Sequence, residues 1–113
     1  MDIQKLLKSG YNLYDIKELL ALLLINIKES KKVFTEDNDD QIKLTIHKLK
    51  GGLIMLEFTD LIDLCTSIED NIKTHGVTPN KSSINSLLEN CLYESISASK
   101  NLEILISNND VNS

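Results

Sequence analysis

The chain has 113 residues, 26% charged and 42% hydrophobic, which suits one soluble domain with one core and argues against a disordered segment. Its net charge of -5 speaks against a nucleic-acid binder, because phosphate contacts need clustered Lys and Arg. Tryptophan is absent, and with only one proline and four glycines the composition favours long helices around an aliphatic core.

In chain order, residues 2–9 predict a short amphipathic helix (Ile3, Leu6, Leu7) closed by Gly10. Asn12 is a good N-cap for the first long helix, which carries Leu13, Ile16, Leu19, Leu20, Leu23, Leu24 and Ile27 and ends near Phe34. Thr35, Glu36, Asp37, Asp39 and Asp40 read as a turn into the next helix start, where acidic groups complement the helix dipole. The second long helix, about 39–56, has a core stripe of Ile42, Ile46, Leu49, Leu53 and Leu56. Thr59 and Asp60 read as the N-cap and first turn of a third helix carrying Leu61, Leu64, Cys65, Ile68 and Ile72 and ending near His75 and Gly76. His75 is expected to complement the carbonyl end of the dipole there. Thr78 and Pro79 restart the chain. The last helix, about 80–106, carries Ile84, Leu87, Leu88, Cys91, Leu92, Ile96, Leu102, Leu105 and Ile106, and residues 108–113 are expected to be a frayed polar tail.

Four long amphipathic helices joined by short polar turns predict an all-α, antiparallel up-down-up-down four-helix bundle with a short N-terminal helix. The expected divisions are an N-terminal cap over 1–11, the bundle over 12–107 and a flexible tail over 108–113. The two cysteines have no metal-ligand spacing and read as buried reduced thiols. The apolar run at 19–27 is too short to cross a bilayer and the first residues do not resemble a signal peptide, so a cytoplasmic protein without membrane partners is expected.

The second helix carries the chemistry. On a wheel of about 100° per residue, His47 falls outside the core arc, on the solvent side. Lys43 and Lys50 lie on one flank, Gly51 and Leu44 on the other, and Ile54 and Met55 further along. Glycine at both 51 and 52 costs about 1 kcal/mol each in a helix interior, so the pair asks for another reason. Neutral imidazole is a nucleophile near neutral pH. Phosphoryl transfer is catalysed mostly by positioning and positive charge. Lys50, three residues on, can reach the phosphoryl oxygens, and Gly51, four residues on, leaves the approach clear. Gly52 points closer to the core and is expected to allow close helix packing. Lys43, Leu44, Lys48, Ile54 and Met55 form the expected docking set, since exposed apolar side chains in one place mark a surface that another protein covers.

His47-Lys48-Leu49-Lys50-Gly51-Gly52 resembles the signature of histidine-containing phosphotransfer (HPt) domains, H-x-[LI]-K-G-[GSA]. Leu53, Ile54, Met55 and Leu56, then Leu61, Leu64, Cys65, Ile68 and Glu69, are similar to the family's second and third helices, and the resemblance covers about 12–106. It implies that His47 is the phosphoacceptor, Lys50 steadies the phosphoryl group and Gly51 is the small residue beside it. It also implies that Glu69 matches the glutamate that orients the imidazole in chemotaxis-type kinases. Glu57 departs from the pattern, standing where many members have glycine or alanine, and so bears on the backbone there. The implied function is a two-component phosphocarrier, exchanging a phosphoryl group with a receiver-domain aspartate or taking it from a sensor histidine kinase. The chain has no glycine-rich nucleotide loop, so it should not act as an autokinase. It should need no cofactor, magnesium entering only through the receiver, and a monomer is expected. The alternative is a non-phosphorylated four-helix module that docks on and inhibits a kinase or receiver; such a protein would be expected to lose the histidine or its lysine.

Overall fold

The computed structural model describes residues 1–36 and 38–112, with side chains through residue 108. Asp37 of the acidic run and Ser113 of the expected tail lie outside the described residues. The helices are α1 (Ile3–Lys8), α2 (Leu13–Thr35), α3 (Asp39–Met55), α4 (Thr59–His75) and α5 (Lys81–Asn112), with a 3-10 turn at Thr78–Asn80 before α5. Each long helix packs on the next and α5 closes back on α2, giving an all-α four-helix bundle. At 1.5 Å per residue the 32-residue α5 accounts for about 48 Å of the 53 Å long axis.

Side-chain caps start three of the helices. Asp2 accepts from Lys5 N, Asn12 forms a reciprocal capping box with Asp15, and Asn38 accepts from Gln41 N. The fourth start differs from expectation: the N-cap of α4 is Phe58, which makes no side-chain cap hydrogen bond, and Thr59 is already helical. Phe58 is buried instead, so packing rather than a hydroxyl turns the chain. The last helix also differs, running to Asn112, because no glycine or proline follows Ile106 to stop it.

Two helix ends share one geometry. After α1, Tyr11 N donates to Leu6 O and Gly10 N to Leu7 O, with Gly10 at φ 106°. After α3, Phe58 N donates to Leu53 O and Glu57 N to Ile54 O, with Glu57 at φ 56°. Both are Schellman caps, whose left-handed residue is usually glycine. Glu57, the position that departs from the HPt pattern, therefore holds a backbone conformation that glycine adopts without strain.

The stripe Ile42, Ile46, Leu49, Leu53 and Leu56 is buried in one core with Ile16, Leu20, Leu23 and Ile27 of α2 and Leu61, Cys65, Ile68 and Ile72 of α4. Ile84, Leu87, Leu88, Cys91 and Leu102 of α5 complete it, and Leu6 brings α1 into it. Four residues of the expected stripes sit outside it: Leu64 and Ile96 are exposed, and Leu24 and Leu105 are half-buried without joining the core. Because α3 packs only on α2 and α4 among the long helices, its opposite face is left to solvent.

Candidate functional site

His47 projects from that free face with its side chain 74% exposed. Its Nδ1 stands 3.2 Å from Glu69 Oε2 on α4, where α3 and α4 run side by side. A carboxylate only accepts hydrogen bonds, so the contact makes Nδ1 the donor and leaves the Nε2 lone pair facing water. Glu69 is the better sheltered partner at 19% exposure, and its other oxygen, Oε1, lies 3.3 Å from Lys50 Nζ. That contact is an ion pair without hydrogen-bond alignment, so Oε1 is buried with its acceptor capacity unfilled. Glu69 thus ties together the imidazole and the ammonium group.

The two glycines have different surroundings. A Cβ on Gly51 would meet nothing within 4 Å, so the helix surface one turn after His47 is open. A Cβ on Gly52 would lie 3.2 Å from Leu23 Cδ1 of α2, closer than ordinary packing allows. The first leaves space to solvent and the second lets two helices approach.

Cys65 lies beneath the site, its Sγ donating to Ile46 O at 3.6 Å. Burial, with the neighbouring Glu69 carboxylate adding to it, pushes this thiol up to about 12. Cys91 on α5 is pushed up to about 12 as well, first by burial and then by its proximity to Cys65. Both are unpaired and buried, protonated thiols and so poor nucleophiles. Among the described residues no cluster of His, Cys, Asp and Glu could hold a metal ion.

Residues 12–98 match the Hpt domain family. The chain belongs to that family. No curated protein and no solved structure matches it. Hpt domains serve phosphotransfer in two-component signalling and interact there with kinases and receiver domains.

In this Hpt domain Leu44, Ile54 and Met55 are all more than half exposed on the same face as His47. Leu44 and Lys48 line a cleft with Glu29 and Val33 of α2, and Met55 lines another with Glu18 and Leu19, so these three lie on the α2 side. Lys43 lies on the α4 side, in a cleft of about 90 Å3 with Ile46, Glu69, Ile72 and Lys73. Lys73 was not read as part of the site. The signal for it is relational: it follows Glu69 by four residues as Lys43 precedes His47 by four, which antiparallel helices bring level. No helix of the described residues is long and apolar enough to cross a membrane.

Proposed function

We propose that this Hpt domain is a phosphocarrier of a two-component phosphorelay, with His47 Nε2 as the atom that receives and gives up the phosphoryl group. The observation that carries the reading is the pairing of an exposed Nε2 with an Nδ1 anchored to Glu69. In the forward step the Nε2 lone pair attacks the phosphorus of an aspartyl phosphate on a receiver domain. The N–P bond forms, the P–O bond to the aspartate breaks, and the carboxylate leaves with the bonding pair. The proton already on Nδ1 stays there, so the ring becomes cationic and Glu69 is its counter-ion. Lys50 steadies the equatorial phosphoryl oxygens, and the bare surface at Gly51 admits the partner's aspartate. The reverse step returns the group to a second receiver, and a sensor kinase is an equally suitable donor. The carrier needs no metal of its own, since the Mg2+ belongs to the receiver. The reading includes a monomer in a reducing compartment, the cytoplasm, which the unpaired buried thiols support.

The test mixes the protein with phosphorylated receiver domains and kinases of its own cell and follows acid-labile, base-stable label. Wild type should be labelled, and His47→Gln should not. If wild type takes no label from any of them, or the variant is labelled equally well, the carrier reading fails.

A further inference from the structure

The α3/α4 edge carries two cations that the transfer step leaves unused. Lys43 and Lys73 line the same cleft, walled by Ile46 and Ile72 with Glu69 beside them. Both are exposed. Neither joins an ion pair among the described residues, whereas Lys50 is held by Glu69, Lys31 by Glu89, and Lys5 reaches Glu57. Two like charges on one cleft repel each other. The carboxylate lining that cleft, Glu69, is already shared by His47 and Lys50. Asp39 and Asp40 lie one turn before Lys43 and Asp70 one turn before Lys73, yet among the described residues none of them is within ion-pair distance of either lysine, so both ammonium groups are free to meet an incoming anion.

The rest of the free face is sorted the other way. Leu44 and Met55 stand on the α2 side, where the charged neighbours are Glu29 and Lys48 around Leu44 and Asp15 and Glu18 around Met55. A partner covering His47 meets the two lysines along one edge and, along the other, apolar groups among three carboxylates and one cation, Lys48. Such a surface fits its partner one way round.

We propose that Lys43 and Lys73 form a docking clamp for the carboxylates beside the transfer aspartate of a receiver domain, fixing its orientation on His47; the inference rests on the carrier reading above. On the carrier reading the transfer aspartate works with Mg2+, which is bound through one or two carboxylates besides phosphate oxygens and water, so further carboxylates are expected next to it. The partner is therefore acidic where it meets His47. Charge complementarity of this kind acts on encounter and orientation more than on chemistry. Lys50, at the phosphoryl group, and the clamp, at the rim, have separate tasks.

The test compares wild type with a Lys43→Gln/Lys73→Gln variant. One donor is whichever phosphorylated receiver domain of the same cell labels wild type fastest. The other is phosphoramidate, a small donor with no docking surface. At low ionic strength the ratio of receiver-driven to phosphoramidate-driven labelling rates should fall about tenfold in the variant, a few-fold from each exposed cation. The difference should shrink as salt approaches about 1 M, where the screening length is about 3 Å. Lys73→Glu should lower the ratio further than Lys73→Gln. A ratio equal to wild type at low salt overturns the clamp while leaving His47 labelled and the carrier reading standing. An equal fall with both donors also overturns it, since the lysines would then act on the phosphoryl group itself. No label on wild-type His47 from either donor removes the carrier reading and the clamp with it.

Discussion

Replacing Gly51 and Gly52 one at a time should move stability in opposite directions. In a helix interior, alanine is favoured over glycine by about 1 kcal/mol. At Gly51 nothing opposes that gain, because an added methyl has no neighbour within 4 Å. Gly51→Ala should therefore stabilise the domain by about 1 kcal/mol, roughly 4 °C in Tm for a chain of this size. At Gly52 the methyl lies 3.2 Å from Leu23 Cδ1. Leu23 is fully buried, so the few tenths of an ångström it must give have to come from within the packed core. Overpacking of this kind costs about 1–3 kcal/mol, so Gly52→Ala should lose about 1 kcal/mol net despite its better helix propensity. Gly51→Gln should keep much of the stability gain yet slow phosphotransfer at least tenfold, because its side chain fills the space beside His47 Nε2. Urea unfolding with an unchanged m value reads the stability, and labelled transfer from a receiver reads the rate. If Gly52→Ala stabilises as much as Gly51→Ala, the assignment of close packing to one glycine and open space to the other is wrong. If Gly51→Gln transfers at the wild-type rate, the open space has no part in transfer.

Glu57→Gly should stabilise by about 1 kcal/mol by thermal melting: left-handed φ costs a non-glycine residue about 1–2 kcal/mol, offset in part by glycine's greater freedom when unfolded. The exposed 4.0 Å contact with Lys5 is too weak to reverse the sign, and an equal or lower Tm would refute that. Raising pH should weaken the fold once unfolded thiols, with an ordinary value of about 9, begin to ionise while folded Cys65 and Cys91 hold their protons to about 12. The thiol contribution is whole below pH 9 and falls by about 1 kcal/mol per thiol between pH 9 and 10, so Cys65→Ala/Cys91→Ala should show a flatter pH profile over that interval in urea titrations. Lys50→Met should destabilise by about 1 kcal/mol by leaving the sheltered Glu69 without its cation, and adding Glu69→Gln should recover that stability but not transfer. Additive losses in the double variant would show that the pair is not coupled.

The bundle was legible because its signals are local. Period-3.6 stripes such as Ile42, Ile46, Leu49 and Leu53, and caps such as Asn12, lie within one helix and need no knowledge of its neighbours. The start of α4 was misread because Thr59 resembles a cap, while the chain is turned by Phe58 packing into a core that only the assembled bundle supplies. Leu64 and Ile96 were misread for a similar reason: stripe width depends on how many neighbours a helix has, which its own sequence does not state. At the site, the wheel of one helix suffices to set His47, Lys50 and Gly51 on one face. Lys73 depends on the register between two helices, and no residue of α4 carries that register alone. Glu57 lay between the cases: the mismatch in type was visible, whereas its physical content, a left-handed turn held by a charged residue, required the backbone.

On the proposed mechanism, the exposures of the three central residues match the order in which charges appear during transfer. Before transfer on the proposed mechanism, the imidazole is neutral and Lys50 balances Glu69 across 3.3 Å. Attack at Nε2 places a positive charge on a ring whose Nδ1 is 3.2 Å from Glu69, and brings close to two negative charges within reach of Lys50. Glu69 then holds the ring more strongly just as Lys50 is drawn to the phosphoryl oxygens. One cation replaces another beside the same carboxylate, so no sheltered charge is left alone at either end of the step. That exchange works only if Glu69 and Lys50 are kept from competing water, and they are 19% and 24% exposed. The nitrogen that must meet a second protein needs the reverse, and the His47 side chain is 74% exposed. A bundle helix with one free face supplies both conditions a single turn apart.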